Sequence, residues 1–146
     1  MSEVSTLRLY LLRAMYLLIA MGLAVTVWPY IVSPPNLTAG PGSVIRALLG
    51  ALAVLSLLGL RYPLQMLPLL LFELLWKVIW AVASAIPMWL GPGLDEYASE
   101  TLFACLIGVV LVPIVIPWGY VARHYVQAPG EPWRSQPDTQ SGILPR

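Results

Sequence analysis

The fold is decided by one long apolar stretch, residues 64–90, which reads LQMLPLLLFELLWKVIWAVASAIPMWL. It exceeds the ~20 residues that an α-helix needs to cross the hydrocarbon core of a bilayer. Glu73 and Lys77 are its only charged residues, and they stand four positions apart. The stretch therefore predicts a membrane-spanning helix with an acid–base pair set inside it.

Three more apolar segments accompany it, and clusters of glycine and proline separate all four. Each segment approaches or exceeds the length that a bilayer requires, and clusters of this composition are typical of turns. We predict an all-α integral membrane four-helix bundle in residues 1–126. Its helices are expected to cover residues 9–32, 43–60, 64–90 and 99–120.

The composition agrees with this class of protein. Of the 146 residues, 59% are hydrophobic and 10% are charged, whereas about 25% of the residues of a soluble domain are charged. So few charges cannot cover a water-exposed surface, and lipid is the solvent that suits the chain. The net charge of +1 gives no basis for binding nucleic acid. The single cysteine, Cys105, excludes an intrachain disulfide and is expected to pack between helices.

The second segment is the least regular, because Arg46 leaves only residues 47–60 strictly apolar. An arginine near a helix end can extend its guanidinium to the lipid headgroups, so the helix can still cross. A re-entrant hairpin of the second and third segments is the alternative. The turn at Arg61-Tyr62-Pro63 favours a full crossing, since its composition is typical of a membrane interface.

Basic residues predict the orientation, because cytoplasmic loops carry an excess of lysine and arginine. The loops at residues 33–42 and 91–100 contain no basic residue, and the second of them contains three acids. The basic residues concentrate at the chain ends and in the middle loop, as Arg8, Arg13, Arg61, Arg123, Arg134 and Arg146. We predict an inner-membrane protein with both termini in the cytoplasm, where residues 127–146 form an extended tail.

The charged pair lies on a polar and aromatic face of the third predicted helix. If that helix begins near Leu64, Glu73 lies on the order of 14 Å along it, close to the middle of the bilayer. Insertion scales give a cost of roughly 2.5–3.5 kcal/mol for each such charge, so fold stability alone does not account for the pair. Helical spacing places the pair in one stripe with two tryptophans and a serine, comprising Glu73, Trp76, Lys77, Trp80 and Ser84.

Two interpretations of the stripe stay open. It lines a site or a hydrated path for a ligand or ion, which is the usual role of ionisable residues inside a membrane, or it is a neutralised unit that fixes helix packing. Within the first interpretation, three chemistries are open: an organic cation between indole rings, proton transfer between the two groups, or an anionic headgroup on Lys77. Lys77 argues against the organic cation, since it already neutralises Glu73.

A second polar group is expected at the cytoplasmic rim, formed by Arg61, Tyr62, Arg123 and His124. His124 is the only histidine, so one chain cannot form a bis-histidine haem site or a histidine-rich metal site. We expect it, beside Arg123, to contact lipid phosphates. The sequence contains no recognisable nucleophile–base–acid set, metal motif or cofactor motif, and we predict no catalytic residue, metal or cofactor.

Small residues are expected to mark the packing faces of two helices. They are Ala47, Gly50, Ala51 and Val54 on the second helix, and Ala104 and Gly108 on the fourth. Such faces allow close contact within the bundle or between copies of the chain. Pro113 and Pro117 are expected to kink the fourth helix and to release carbonyls that need other partners.

The expected function is non-enzymatic. A small multi-pass membrane protein would bind or translocate an ion, small molecule or lipid at the stripe, in contact with membrane lipid and as a homo-oligomer or part of a larger membrane complex. The alternative is a structural or accessory subunit of such a complex, in which the pair serves helix packing. A lipid-modifying enzyme ranks third, because the chain lacks a nucleophile–base set.

Overall fold

The computed structural model describes residues 4–36 and 39–133, and every regular element in these ranges is helical. Two π-helical turns, Ala81–Ala85 and Ala122–Val126, continue α-helices. Residues 127–133 contain no helix or strand, and the rest of the predicted tail, with Arg134 and Arg146, lies outside the described residues. The α-helices are α1 (Thr6–Thr26), α2 (Trp28–Val32), α3 (Pro41–Arg61), α4 (Leu67–Trp80), α5 (Ile86–Leu90), α6 (Glu96–Val115) and α7 (Trp118–Val121).

Four helical stretches are long and apolar enough to cross a membrane. They are α1, α3, the continuous stretch Leu67–Leu90 that α4 and α5 form with the first π-helical turn, and α6. We refer to them as the first to fourth long helices. They confirm the predicted set of four helices and the all-helical class for the described residues, and they are compatible with a multi-pass membrane protein.

The second long helix is longer than its apolar sequence suggests. It runs from Pro41 to Arg61 and contains 21 residues, which is enough for a full crossing. Pro41 can begin the helix because a proline in the first turn sacrifices no intrahelical hydrogen bond. Arg46 therefore lies inside the helix, in its first turns, rather than at its edge.

The first long helix begins earlier and ends earlier than the predicted residues 9–32. The Ser5 side chain accepts a hydrogen bond from the backbone N–H of Arg8 (3.3 Å) and so caps the helix start. At the other end Val27 separates α1 from the short α2. Pro29 accounts for this break, because it has no N–H with which to continue the α-helical hydrogen bonds.

The fourth long helix is also displaced from the predicted residues 99–120. The Asp95 carboxylate accepts a backbone hydrogen bond in the first turn (2.7 Å) and caps α6 at its start. At the other end Ile116 takes an extended backbone (φ −64°, ψ 128°), as a residue that precedes a proline favours. The carbonyl of Pro113, inside α6, accepts a hydrogen bond from the Trp118 indole (2.8 Å).

The third long helix contains a wide turn. Residues Ala81–Ala85 are π-helical, and the N–H of Ile86 donates to the carbonyl of Ala81. Pro87 accounts for the turn, because a proline ring clashes with the carbonyl four residues earlier and supplies no N–H of its own. The helix continues beyond the proline as α5, so the stretch remains one long element.

The core lies where the second and third long helices join, which we call the Tyr62 end of the bundle. The Tyr16 side chain is fully buried there and packs on Gly59, where an added Cβ would lie 2.4 Å from the ring. The Tyr16 hydroxyl donates to the Pro63 carbonyl (2.9 Å). The aliphatic side chains around it include Leu12, Leu67, Leu70, Val112 and Ile116.

Two arginines of α1 bind carbonyls at the ends of other helices. Arg8 Nη1 donates to the Ile116 carbonyl (2.7 Å), and Arg13 Nε donates to the Leu60 carbonyl (3.0 Å). Carbonyls at a helix C-terminus lack intrahelical donors. The two arginines therefore supply hydrogen bonds to carbonyls that the ends of these helices leave unpaired. The sequence indicated only orientation for Arg8 and Arg13, and their binding to helix ends was not predicted.

The close contact between Tyr16 and Gly59 predicts that Gly59→Ala lowers the unfolding temperature. The new methyl group would displace a fully buried ring, and overpacking of this kind costs about 1–3 kcal/mol. Gly22→Ala is the matched control, because its added Cβ meets nothing within 4 Å and Ala is roughly 0.5–1 kcal/mol better than Gly inside a helix. Thermal unfolding in detergent measures both variants, and an equal response of the two contradicts this packing.

Candidate functional site

Glu73 and Lys77 form an ion pair on the third long helix. Glu73 is 4% exposed, and the Lys77 side chain is 12% exposed. The spacing of four residues, with the acid on the N-terminal side, is the arrangement that favours such a pair. Within residues 4–36 and 39–133 it is the only ion pair. The two charges singled out in the sequence are thus in direct contact in a nearly closed environment.

Trp76 contacts both members of the pair. Its indole Nε1 donates to Glu73 Oε2 (2.6 Å), and Lys77 Nζ lies 5.4 Å from the centre of its ring, within cation–π range. Each carboxylate oxygen of Glu73 therefore has a donor, one from the ammonium and one from the indole. All three residues belong to α4, so the carboxylate is neutralised and hydrogen-bonded within one helix.

The fourth long helix closes the site through Gly108. A Cβ added to Gly108 would lie 2.7 Å from Lys77 Nζ and 2.9 Å from its Cδ, so the lysine side chain lies directly on the glycine. Cys105, buried one turn away, is within electrostatic range of both charges. Of the predicted small-residue pair, Gly108 is buried and Ala104 is exposed. Gly108 thus provides room for a lysine side chain.

The small-residue face predicted on the second long helix is also only partly buried. Gly50 is buried, whereas Ala47, Ala51 and Val54 are exposed. A Cβ added to Gly50 would lie 2.6 Å from the side chain of Ile31. Of these four residues, the glycine is therefore the one that is buried, and it lies close to α2.

The rest of the predicted stripe is less enclosed than the pair. Trp80 and Ser84 are each half-buried, and Ser84 lies in the π-helical turn, which shifts it from the line that a regular α-helix gives. Because the helix begins at Leu67, later than expected, Glu73 lies about 9 Å along it and Lys77 about 15 Å. The pair is therefore in the half of the helix that is nearer the Tyr62 end.

The four predicted rim residues lie at the Tyr62 end in two pairs. The Arg61 guanidinium lies 5.4 Å from the centre of the Tyr62 ring. Arg123 and His124 contact their own helical turn: Arg123 Nε donates to a carbonyl one turn earlier (3.1 Å), and the His124 ring stacks on Tyr120 with ring centres 3.9 Å apart. The residues of each pair thus contact groups that are close to them in the sequence.

Tyr125 connects the π-helical turn Ala122–Val126 to the turn that precedes the third long helix. Its hydroxyl lies 3.5 Å from the Leu64 carbonyl, to which it donates. Burial raises the pKa of the Tyr125 phenol, and the nearby Tyr120 raises it further. The phenol therefore remains a neutral donor at physiological pH.

Two surface grooves lie away from the stripe. One, of about 370 Å³, is at the opposite end of the bundle beside Tyr30 and Arg46. The other, of about 390 Å³, is apolar and lies on the fourth long helix beside Phe103 and Val110. Neither includes a residue of the stripe. In the part of the chain that the structure describes, no three His, Cys, Asp or Glu residues cluster as metal ligands would.

The contact between the two charges predicts that Lys77→Met destabilises the protein more than the double change Glu73→Gln/Lys77→Met. The single change leaves a buried carboxylate without its counter-charge, at a cost of about 3–5 kcal/mol, whereas replacing both partners is often neutral. Unfolding midpoints in detergent measure this, with Arg61→Gln as a control for loss of an exposed positive charge. Equal midpoints for the single and double variants would show that the charges are not coupled.

Comparison of the chain with models of protein families, with curated proteins and with solved structures found no significant match. The function is therefore inferred from the geometry of the pair and its surroundings.

Proposed function

We propose that this chain is a non-enzymatic, multi-pass inner-membrane protein that exchanges protons at the Glu73–Lys77 pair, with both termini in the cytoplasm. One observation carries the proposal: a carboxylate and an ammonium are in contact in a nearly closed site, and among the described residues neither has a charged partner outside its own helix. Four long apolar helices support insertion into a membrane.

The cost of the pair supports a role beyond stability. Each charge costs roughly 2.5–3.5 kcal/mol to place at the centre of a membrane helix. Because both partners belong to α4, their ion pair does not join one helix to another, and apolar residues in their place would often stabilise a bundle equally well. Ionisable residues in such positions are typical of proton and ion pathways.

The packing around the pair favours a proton over larger ligands. An organic cation would have to displace Lys77 from Glu73, and an anionic headgroup would have to displace Glu73 from Lys77. The contact with Gly108 leaves no space even for a Cβ beside the lysine. A molecule could enter only if the third and fourth long helices separated, whereas a proton needs no such space.

Exchange uses two charge states of the pair. Transfer of a proton from the Lys77 ammonium to the Glu73 carboxylate gives a neutral amine and a neutral acid, a state that a site of low dielectric constant tolerates. The amine then takes a proton from one side and the acid releases one to the other, which restores the ion pair. Trp76 holds the carboxyl group in position in both states. Cys105 is a further titratable group close to the pair.

Proton flux into vesicles tests the proposal. Wild-type protein in liposomes that contain a pH-sensitive dye should acidify the lumen, under a potassium diffusion potential, faster than protein-free liposomes do. Glu73→Gln should abolish the difference, because an amide does not take up and release the proton. Glu100→Gln, which removes an exposed acid of the fourth long helix, should leave the flux unchanged. Wild-type flux no greater than that of empty liposomes, or equal flux in Glu73→Gln, overturns the proposal.

A second candidate is a structural or accessory subunit of a larger membrane complex. The third long helix favours this candidate, because less of its apolar part is buried within the chain. The buried share is 17% for this helix and 28% for each of the other three. The exposed side of this helix carries Phe72, Leu75 and Ile79. A helix of another protein would pack there, and the homo-oligomer expected from the sequence would use the same face.

The composition of the particle extracted from the native membrane separates the two candidates. An accessory subunit should be recovered in a complex of fixed stoichiometry with other chains, and the purified chain alone should conduct no protons. Quantitative mass spectrometry of the particle measures the stoichiometry. A particle that contains only copies of this chain contradicts the accessory role.

A further inference from the structure

A groove at the end of the bundle opposite Tyr62 holds an arginine that the proposed proton exchange does not use. The groove has a volume of about 370 Å³. It lies between residues 30–36, which include the end of α2, and the first turns of α3. Its polar and aromatic lining residues are Tyr30, Asn36, Ser43 and Arg46.

Among the described residues that line the groove, Arg46 is the only charged one, and it is half-buried. Arginine carries a positive charge in proteins. Across residues 4–36 and 39–133 Arg46 has no acidic partner and no hydrogen-bond acceptor. The Ser43 hydroxyl, by contrast, is already bonded to the Gly40 carbonyl (2.7 Å). A partly desolvated cation without a counter-charge favours an anion from outside the chain.

Apolar side chains of α2 and α3, including Ile31 and Ala47, line the groove, and we call this apolar lining its floor. A Cβ added to Gly50 would lie 2.6 Å from the side chain of Ile31, so the two helices approach closely. Arg46 is one helical turn before Gly50 and projects from the same face of α3. The groove thus combines an apolar floor, one cation, and the hydrogen-bonding groups of Tyr30 and Asn36 at its edge.

We infer that this groove binds the phosphate group of an anionic phospholipid. It lies at the end of two long apolar helices, where the phosphates of a bilayer would be found, and its apolar floor suits the start of an acyl chain. Arginine forms paired hydrogen bonds with phosphate oxygens. None of the described residues that line the groove is an acid, so they offer no partner for the ammonium of a zwitterionic lipid. The inference requires membrane insertion but is independent of proton exchange.

Retention of lipid by the purified full-length protein tests the inference. The protein in detergent is mixed with equal amounts of phosphatidylglycerol and phosphatidylcholine, and bound lipid is counted by native mass spectrometry. The wild type should retain phosphatidylglycerol preferentially. Arg46→Gln should weaken that binding about tenfold, as expected for the loss of one charge-assisted contact. Arg61→Gln, at the other end of the same helix, should retain it as the wild type does.

Four other results of this experiment would overturn the inference. Equal loss in Arg46→Gln and Arg61→Gln would show general attraction of anionic lipid to basic residues. Equal retention of the two lipids by the wild type would contradict the preference without any variant. Displacement of phosphatidylglycerol by an equal concentration of inorganic phosphate would assign the groove to a free phosphate ion. Arg46→Lys keeps the charge and should bind more phosphatidylglycerol than Arg46→Gln, and equal binding by these two variants would exclude the charge as the cause.

Discussion

In the described part of the chain, the buried polar groups of the long helices find their partners inside the protein, and much of the packing follows from that constraint. Inside a bilayer no water can satisfy them, and each unpaired group costs several kcal/mol. The Glu73 carboxylate is bound by Lys77 and Trp76 of its own helix, and Arg8 and Tyr16 donate to carbonyls at the breaks between other helices. Across residues 4–36 and 39–133, every buried side-chain nitrogen and oxygen has a hydrogen-bond partner. Glu73 and Lys77 are the extreme case, because both carry a full charge and both need partners within the protein.

Glycines make these arrangements sterically possible. Gly59 receives the Tyr16 ring and Gly108 receives the Lys77 side chain, each from a different helix, at distances that an added Cβ would forbid. At each of these two contacts a large side chain of one helix packs on a glycine of another. This geometry places the lysine stem between the third and fourth long helices and restricts what can reach the pair. The same restriction supports our proposal of proton exchange over the binding of a larger ligand.

The four long helices and the contact between Glu73 and Lys77 could be predicted from the sequence, because segment length and a spacing of four residues are local properties. The surroundings of the pair could not, since they depend on which face of the fourth helix lies opposite. The small-residue pattern indicated Ala104 and Gly108 equally, and only Gly108 is buried. The binding of Arg8 to a released carbonyl was also missed. The prolines of the fourth helix predicted that released carbonyls need donors, but not which side chain supplies the donor.

Lys77 is the only lysine in the chain, so isotopic nitrogen labelling of lysine gives one side-chain signal that reports on the pair directly. In protein reconstituted into lipid bilayers, we predict a single ammonium resonance in nuclear magnetic resonance spectra. Its hydrogens should exchange slowly with water, it should correlate with the Glu73 carboxyl carbon, and Glu73→Gln should shift it. A rapidly exchanging ammonium signal that Glu73→Gln leaves unchanged would contradict the central claim that the two charges form a closed and coupled pair.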